Sequence, residues 1–298
     1  MPKAATRQCE VFRLGENSQR IDFLDTNSTN READIATAAK SRADELFGLS
    51  GKAAVVTGAN RGIGRGIALE LGRLGAKIVV ASRDPVSGEA VAKEIRDEGG
   101  QAIRLPFELR DEASVKTLME SAKKEHGAID ILVNNAGIYP VTSPFLETTA
   151  EQWDNMNAVN LRGTFFCIRE GARIMRENGG GNIVNISSMG SLRPAAPTRF
   201  AYNSSKAGLN RLTQDAAAEF ARDKIRVNAV LPGPISLSSA PIEDPAIAKM
   251  QELILKKIAV RRFGTPADIA AAVAFLVSPA SSFITGQMIL ADGGFTLK

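Results

Sequence analysis

The chain has 298 residues, 44% of them hydrophobic and 23% charged, and a formal net charge of +4. That is the composition of an ordinary globular protein, and the charge is too small and too dispersed for a nucleic-acid partner, although an anionic small ligand fits. No apolar run approaches the roughly 20 residues of a membrane span. The two cysteines, Cys9 and Cys167, have no metal or redox spacing, so reduced thiols and a cytoplasmic setting are expected.

Residues 1–47 are polar, acid-containing and without sustained hydrophobic period, which fits neither a secretory signal nor a transit peptide. They read as a flexible N-terminal extension, with a weak helical stripe between Asn30 and Phe47. At Lys52 the pattern changes. Ala53 to Thr57 is a short apolar run of the kind buried on both faces of a sheet. A glycine-rich loop follows and leads into an amphipathic helix ending near Leu74. Strands are then expected at Lys77–Ala81, Gln101–Leu105, Ile129–Val133, Asn182–Ile186, Ile225–Leu231 and Gly286–Leu290. Helices are expected at Val86–Glu98, Glu112–His126, Ala150–Asn178, Ala201–Arg222 and near Pro266–Val277. The alternation predicts an α/β fold: a doubly wound, Rossmann-type parallel sheet of about seven strands with helices on both faces. With no composition break after residue 50, residues 48–298 read as one domain.

The single histidine, His126, precedes Gly127 and reads as a helix-end residue. A Ser-His-Asp hydrolase or a histidine-ligated zinc site would have to use it, and no G-x-S-x-G elbow accompanies it.

Five stretches carry chemistry. Gly58-x-x-x-Gly62-x-Gly64 lies between the first strand and the first helix, where glycines let a pyrophosphate approach the backbone and the helix N-terminus favours its charge. The competing reading is a glycine turn for packing alone. At the end of the second strand, Ser82 stands where an acid would bind a ribose 2′-hydroxyl. Arg83 beside it and Arg61 in the glycine loop favour a 2′-phosphate, and Asp84 falls two residues late. Asn134-Asn135-Ala136-Gly137 follows the fourth strand, with small residues for close approach and asparagines to lock backbone. Asn160 interrupts a helical run, which suggests either a local kink with a hydrogen-bonding task or a solvated helix residue.

The fifth is Tyr202-Asn203-Ser204-Ser205-Lys206 on the long helix that carries Leu209, Leu212, Ala216 and Phe220. Residues four apart share a helix face, so Tyr202 and Lys206 can meet. A neighbouring cation lowers a phenol's pKa from about 10 and makes it an acid–base group near neutral pH. A strand ending in Ser187 and Ser188 precedes this helix.

Together these residues resemble the short-chain dehydrogenase/reductase family in its basic single-domain form, from about residue 48 to the C-terminus. TGANRGIG, NNAG, Asn160, Ser188, YNSSK, Pro232-Gly233 and the closing Asp292-Gly293-Gly294 stand in the family's order. The likeness is to 3-oxoacyl reductases and carbonyl reductases. It implies that residues 48–298 bind NADP and that NADPH reduces a ketone or aldehyde, reversibly. Tyr202 would donate the proton, Ser188 would hydrogen-bond the carbonyl oxygen, Lys206 would lower the Tyr202 pKa and hold the nicotinamide ribose, and Asn160 would position a water for Lys206. The cofactor set it implies is Gly58, Asn60, Arg61, Gly62, Ile63 and Gly64; Ser82 and Arg83; Glu108 and Leu109; Asn135, Ala136 and Gly137; Tyr202 and Lys206; and Pro232, Gly233 and Ile235. It also implies a homotetramer, or a dimer, built on the two long helices and the last strand.

Two departures qualify the match. Glu108 stands where the family usually has an aspartate near the adenine. The serine-to-tyrosine spacing is one residue longer than in many members, so Ser187 remains a candidate for the serine role. The substrate loop falls on Pro234 to Arg262. The alternatives are an NAD-dependent sugar, polyol or secondary-alcohol dehydrogenase of the same fold, and a non-catalytic NADP-binding module. Loss of Tyr202 or Lys206 would mark the module, and both are present. The glycine spacing and longer C-terminal domain of the extended dehydratase and epimerase relatives are not seen.

Overall fold

The computed structural model describes residues 41–139, 143–193, 198–237 and 244–297. The chain divides into two units, Met1–Arg42 and Ala43–Lys298, and everything below concerns the second. The expectation for the N-terminal arm falls almost wholly outside the described residues.

Seven strands form one parallel sheet: β1 (Ala53–Thr57), β2 (Lys77–Ser82), β3 (Gln101–Pro106), β4 (Ile131–Asn134), β5 (Gly181–Ile186), β6 (Ile225–Pro232) and β7 (Met288–Ala291). Their order is β3-β2-β1-β4-β5-β6-β7. β1 pairs with both β2 and β4, Val55 facing Val79 on one side and Leu132 on the other. Strand order reverses there, the place where open α/β sheets put their ligands.

The period of two sorts β1 between two cores. Ala54 and Val56 join one apolar cluster with helices α1 (Gly62–Arg73), α2 (Pro85–Asp97) and α8 (Pro266–Val277). Val55 joins the other, with α3 (Glu112–His126), α5 (Thr164–Glu177) and α6 (Phe200–Phe220). Cys167 is completely buried in that second core, where burial pushes its thiol pKa up and makes it inert. His126 closes α3 ahead of Gly127, which takes the left-handed φ of 81°.

Four expectations are corrected. The helix expected at Ala150–Asn178 is α4 (Ala150–Asn157), one π-helical turn (Ala158–Gly163) and α5. The fourth strand starts at Ile131 rather than Ile129, although Ile129 is fully buried, and the last strand starts at Met288 rather than Gly286. The expected loop from Pro234 to Arg262 contains a helix, α7 (Pro245–Lys257). Asp244 caps it by accepting the Ala246 N–H, with Pro245 in the first turn. That Asp-Pro start signal was present in the sequence. No α7 residue is buried, so core patterning gave no help. No helix among the described residues is long and apolar enough to cross a membrane.

Candidate active site

The carboxyl ends of β1, β4, β5 and β6 converge on a cavity of about 870 Å³. It is lined by Ile63, Asn135 and Gly137 on one side, by Ser188, Tyr202 and Lys206 on another, and by Pro232, Gly233 and Ile235 at the floor. α7 closes the outer side with Met250, Leu253 and Ile254.

The glycine loop is held by its neighbours. Gly58 and Gly62 have φ of +64° and +56°, a region side chains avoid. A Cβ at Gly64 would lie 2.3 Å from the Gly58 oxygen and 2.4 Å from Asn135 Nδ2. Asn135 Nδ2 donates to the carbonyls of Thr57 and Gly58 at 3.0 and 3.1 Å, bolting the β4 loop to the glycine loop. Thr57, a residue the sequence did not single out, accepts the N–H groups of Asn135 and Ala136 on its hydroxyl. The α1 N-terminus has no side-chain cap and no acid in its first turn. Its free N–H groups, the left-handed glycines and the adjoining cavity fit a dinucleotide.

At the end of β2, Ser82 is buried and donates to the Asp84 carbonyl. Asp84 caps α2 by accepting the Val86 and Ser87 N–H groups, so its carboxylate is committed there. Ser87 in turn binds Asn60 at 3.0 Å. Arg83 is exposed and lies 3.7 Å from Glu108. Arg104, unforeseen from the sequence, donates to the Ser82 and Arg83 carbonyls. Leu109 is buried, and its carbonyl stands where a Cβ at Gly163 would come within 2.5 Å. None of Arg61, Ser82, Arg83, Glu108 and Leu109 lines the cavity that holds Tyr202; Arg61 follows β1, and the other four stand at the ends of the outer strands β2 and β3.

Asn160 is fully buried in the π-helical turn, not solvated. Its Oδ1 accepts the Ile138 N–H at 2.8 Å and its Nδ2 donates to the Ile138 carbonyl at 3.0 Å. Nδ2 also reaches Met156 Sδ and Ser205 Oγ. Both ends of the amide thus fix the cavity wall at Ile138.

Lys206 is buried, and its Nζ donates to the Ile186 carbonyl at 2.8 Å. Burial lowers its pKa to about 8. Tyr202 differs from expectation. Burial raises its pKa, while hydrogen bonding with Ser188 and the charge of Arg199 oppose that rise. Lys206 Nζ stands 5.9 Å from the centre of the Tyr202 ring and is held on Ile186, so it does not pair directly with the phenol. The phenol is therefore protonated at neutral pH, the form a proton donor needs. Ser188 hydrogen-bonds Tyr202 at the cavity wall. The Ser187 hydroxyl is buried and donates to the Lys206 carbonyl, which favours Ser188 as the serine facing a ligand. On the substrate side Ile138, Tyr139 and Met189 line the cavity, and Arg193 instead holds the Phe295 and Thr296 carbonyls. Pro194, Ser238, Ser239 and Pro241 lie outside the described residues.

A dinucleotide-type sheet with a tyrosine, a buried lysine and a serine gathered at the carboxyl ends of its strands defines a nicotinamide-dependent class of oxidoreductase. The family model described as enoyl-(acyl carrier protein) reductase matches residues 58–296. Glucose 1-dehydrogenase 2 of Bacillus subtilis is 35% identical over 84% of this chain and 96% of its own. The 5-keto-D-gluconate 5-reductase of Escherichia coli K12 is 34% identical over 84% of this chain and 98% of its own. The crystal structure of a gluconate 5-dehydrogenase from Burkholderia cenocepacia, in complex with NADP and tartrate, superposes with a TM-score of 0.79. It is 35% identical and covers 86% of this chain and 99% of its own. The chain belongs to the short-chain dehydrogenase/reductase family and is an oxidoreductase of that type.

Proposed function

We propose that this chain is an NADPH-dependent reductase of a small ketone or aldehyde, reversible as an alcohol dehydrogenase. One observation carries the reading: Tyr202, Ser188 and Lys206 meet in a cavity that continues to Ile63 and Asn135 at the glycine loop. When bound, the nicotinamide supplies hydride to the carbonyl carbon. Tyr202 donates its phenolic proton to the carbonyl oxygen, and Ser188 is the second hydrogen bond on that oxygen. Lys206 is placed to hold ribose hydroxyls and to stabilise the phenolate that remains. Asn160 positions Ile138 and is not itself a reacting group. The test is a carbonyl and alcohol panel with NADPH and NADH, followed by absorbance of the reduced cofactor. Absence of turnover on every carbonyl would leave only the non-catalytic module.

The 2′-phosphate preference rests on Ser82 in place of an acid, on the cations Arg61, Arg83 and Arg104, and on the commitment of Asp84 to capping α2. Glu108 near Arg83 opposes it weakly, since exposed pairs contribute little. Arg83→Ala is expected to lower kcat/KM with NADPH about tenfold or more while changing NADH use little, because charged hydrogen bonds contribute about 1.5 to 3 kcal/mol. A wild-type enzyme preferring NADH would instead favour the NAD-dependent sugar or polyol dehydrogenase reading, for which the glucose dehydrogenase relative speaks.

A homotetramer follows from the same reading. Phe165 of α5 is 41% exposed beside a broad hollow between α4, α5 and α6, and the edge strand β7 leaves Leu290 37% exposed. Symmetric closed assemblies cover such faces. Light scattering is expected to give about four times the 31.7 kDa of one chain, and a monomer would reject the assembly.

A further inference from the structure

Among the described residues, the cavity beside Tyr202 is lined by three cations, Arg199, Lys206 and Lys257, and by no aspartate or glutamate. Lys206 is engaged with Ile186. Lys257 is exposed at the end of α7, on the rim. Arg199 is half-buried at the N-terminal boundary of α6, and its side chain caps nothing. Its guanidinium carbon stands 4.9 Å from the centre of the Tyr139 ring, and that ring stands 5.1 Å from the ring of Tyr202. Arg199 Nε is buried without a hydrogen-bond partner. Arg199 also lines an adjoining hollow of about 250 Å³, again with no acid in its wall among the described residues.

A guanidinium so placed is incomplete. Burying part of a charge without a partner is unfavourable, and the planar fork of an arginine matches a carboxylate in two parallel hydrogen bonds. Stacking on Tyr139 holds the fork at one place in the cavity wall. Its charge is felt at the Tyr202 phenol, yet the guanidinium packs on Tyr139 and not on Tyr202, so an anion on Arg199 and an oxygen on Tyr202 sit at different places in the cavity wall.

We propose that Arg199 is the specificity-determining residue that binds a substrate carboxylate, so that the carbonyl presented to Tyr202 belongs to an oxo acid whose two groups are well separated. The alcohol of the reverse reaction is the matching hydroxy acid. This deepens the carbonyl-reductase reading and rests on it. A 2-oxo acid, whose carboxylate adjoins the carbonyl, meets both groups less well and is a poor substrate.

The test compares 4-oxocyclohexanecarboxylate, its methyl ester and pyruvate with the full-length enzyme and NADPH. The ester keeps the carbonyl and loses the charge. Wild type is expected to favour the acid over the ester about ten- to a hundredfold in kcat/KM, carried by KM, with pyruvate far behind. Arg199→Ala should bring the ratio of acid to ester toward one, and Arg199→Lys should restore part of it. A second readout needs no turnover. The single tryptophan, Trp153, stacks on Phe200 at 6.4 Å, beside Arg199, so its fluorescence can follow binding of cis-4-hydroxycyclohexanecarboxylate in the presence of NADP. Affinity should fall at least tenfold in Arg199→Ala. A wild-type ratio near one, or an Arg199→Ala enzyme that keeps the wild-type ratio, overturns the proposal and leaves carbonyl reduction standing. If wild type reduces neither compound, the reductase reading is what fails, and the fluorescence titration decides Arg199 alone: binding lost in the variant supports it, equal or absent binding overturns it. Should Arg199→Ala not fold, the wild-type ratio and the lysine variant still decide.

Discussion

Replacing Tyr202 by phenylalanine is expected to lower turnover by roughly 10² to 10⁴, the contribution of a positioned general acid. The ring and its edge-on contact with Tyr139 stay, and only the hydroxyl that meets Ser188 is lost. The reacting oxygen would keep Ser188 as its remaining direct donor. Nucleotide affinity should survive, because the glycine loop is held by Thr57 and Asn135 and owes nothing to Tyr202. The measurement is turnover beside NADPH affinity by fluorescence. Near wild-type turnover in the variant would sink the acid role. Loss of nucleotide binding together with turnover would make Tyr202 a structural residue.

Replacing Lys206 by methionine is expected to lower both turnover and nucleotide affinity, and to change how stability depends on pH. Lys206 releases its proton near pH 8 in the folded protein, against an ordinary value of 10.5, because burial disfavours the ammonium. Between these values the unfolded chain binds more protons, so stability rises with pH across that window. Below pH 8 the whole penalty is present, and it amounts to about 3 kcal/mol for a shift of that size. The methionine variant lacks this component. Its stability relative to wild type should therefore be greatest near pH 7 and should decline toward pH 10. Urea unfolding of both proteins without nucleotide at several pH values measures the difference. Parallel profiles would mean that Lys206 titrates normally, with the Ile186 carbonyl stabilising its charge.

The doubly wound sheet was legible because its signal is local. Apolar runs such as Ala53–Thr57 and helical stripes such as Leu209, Leu212 and Ala216 depend only on each segment's own period. The Asp244-Pro245 start of α7 is a local signal of the same kind, but that helix has no core-facing stripe, because its apolar residues line the cavity. The glycine loop, the asparagines after β4 and the Tyr202–Lys206 spacing marked the site, since each motif is contiguous in the chain.

Tertiary structure alone decided what those residues do to one another. Helical spacing put Tyr202 and Lys206 on one side of α6, but the Ile186 carbonyl, brought in by a strand, claims the ammonium and leaves the phenol to Ser188. Asn160 was conspicuous as a helix defect, yet its partner is the backbone of Ile138, in a loop after β4. Thr57 entered only as the first letter of TGANRGIG, with no task of its own, and Arg199 carried no sequence signal at all: a threonine at a strand end and an arginine before a helix are commonplace. Thr57 gains its task from the loop of β4, and Arg199 from Tyr139 and a cavity wall without acids. The physical reason is the same in each case. Secondary structure follows from neighbours along the chain, whereas burial, hydrogen-bond partners and the field at a titrating group are set by residues far away in sequence that only the packed sheet and its helices bring within reach.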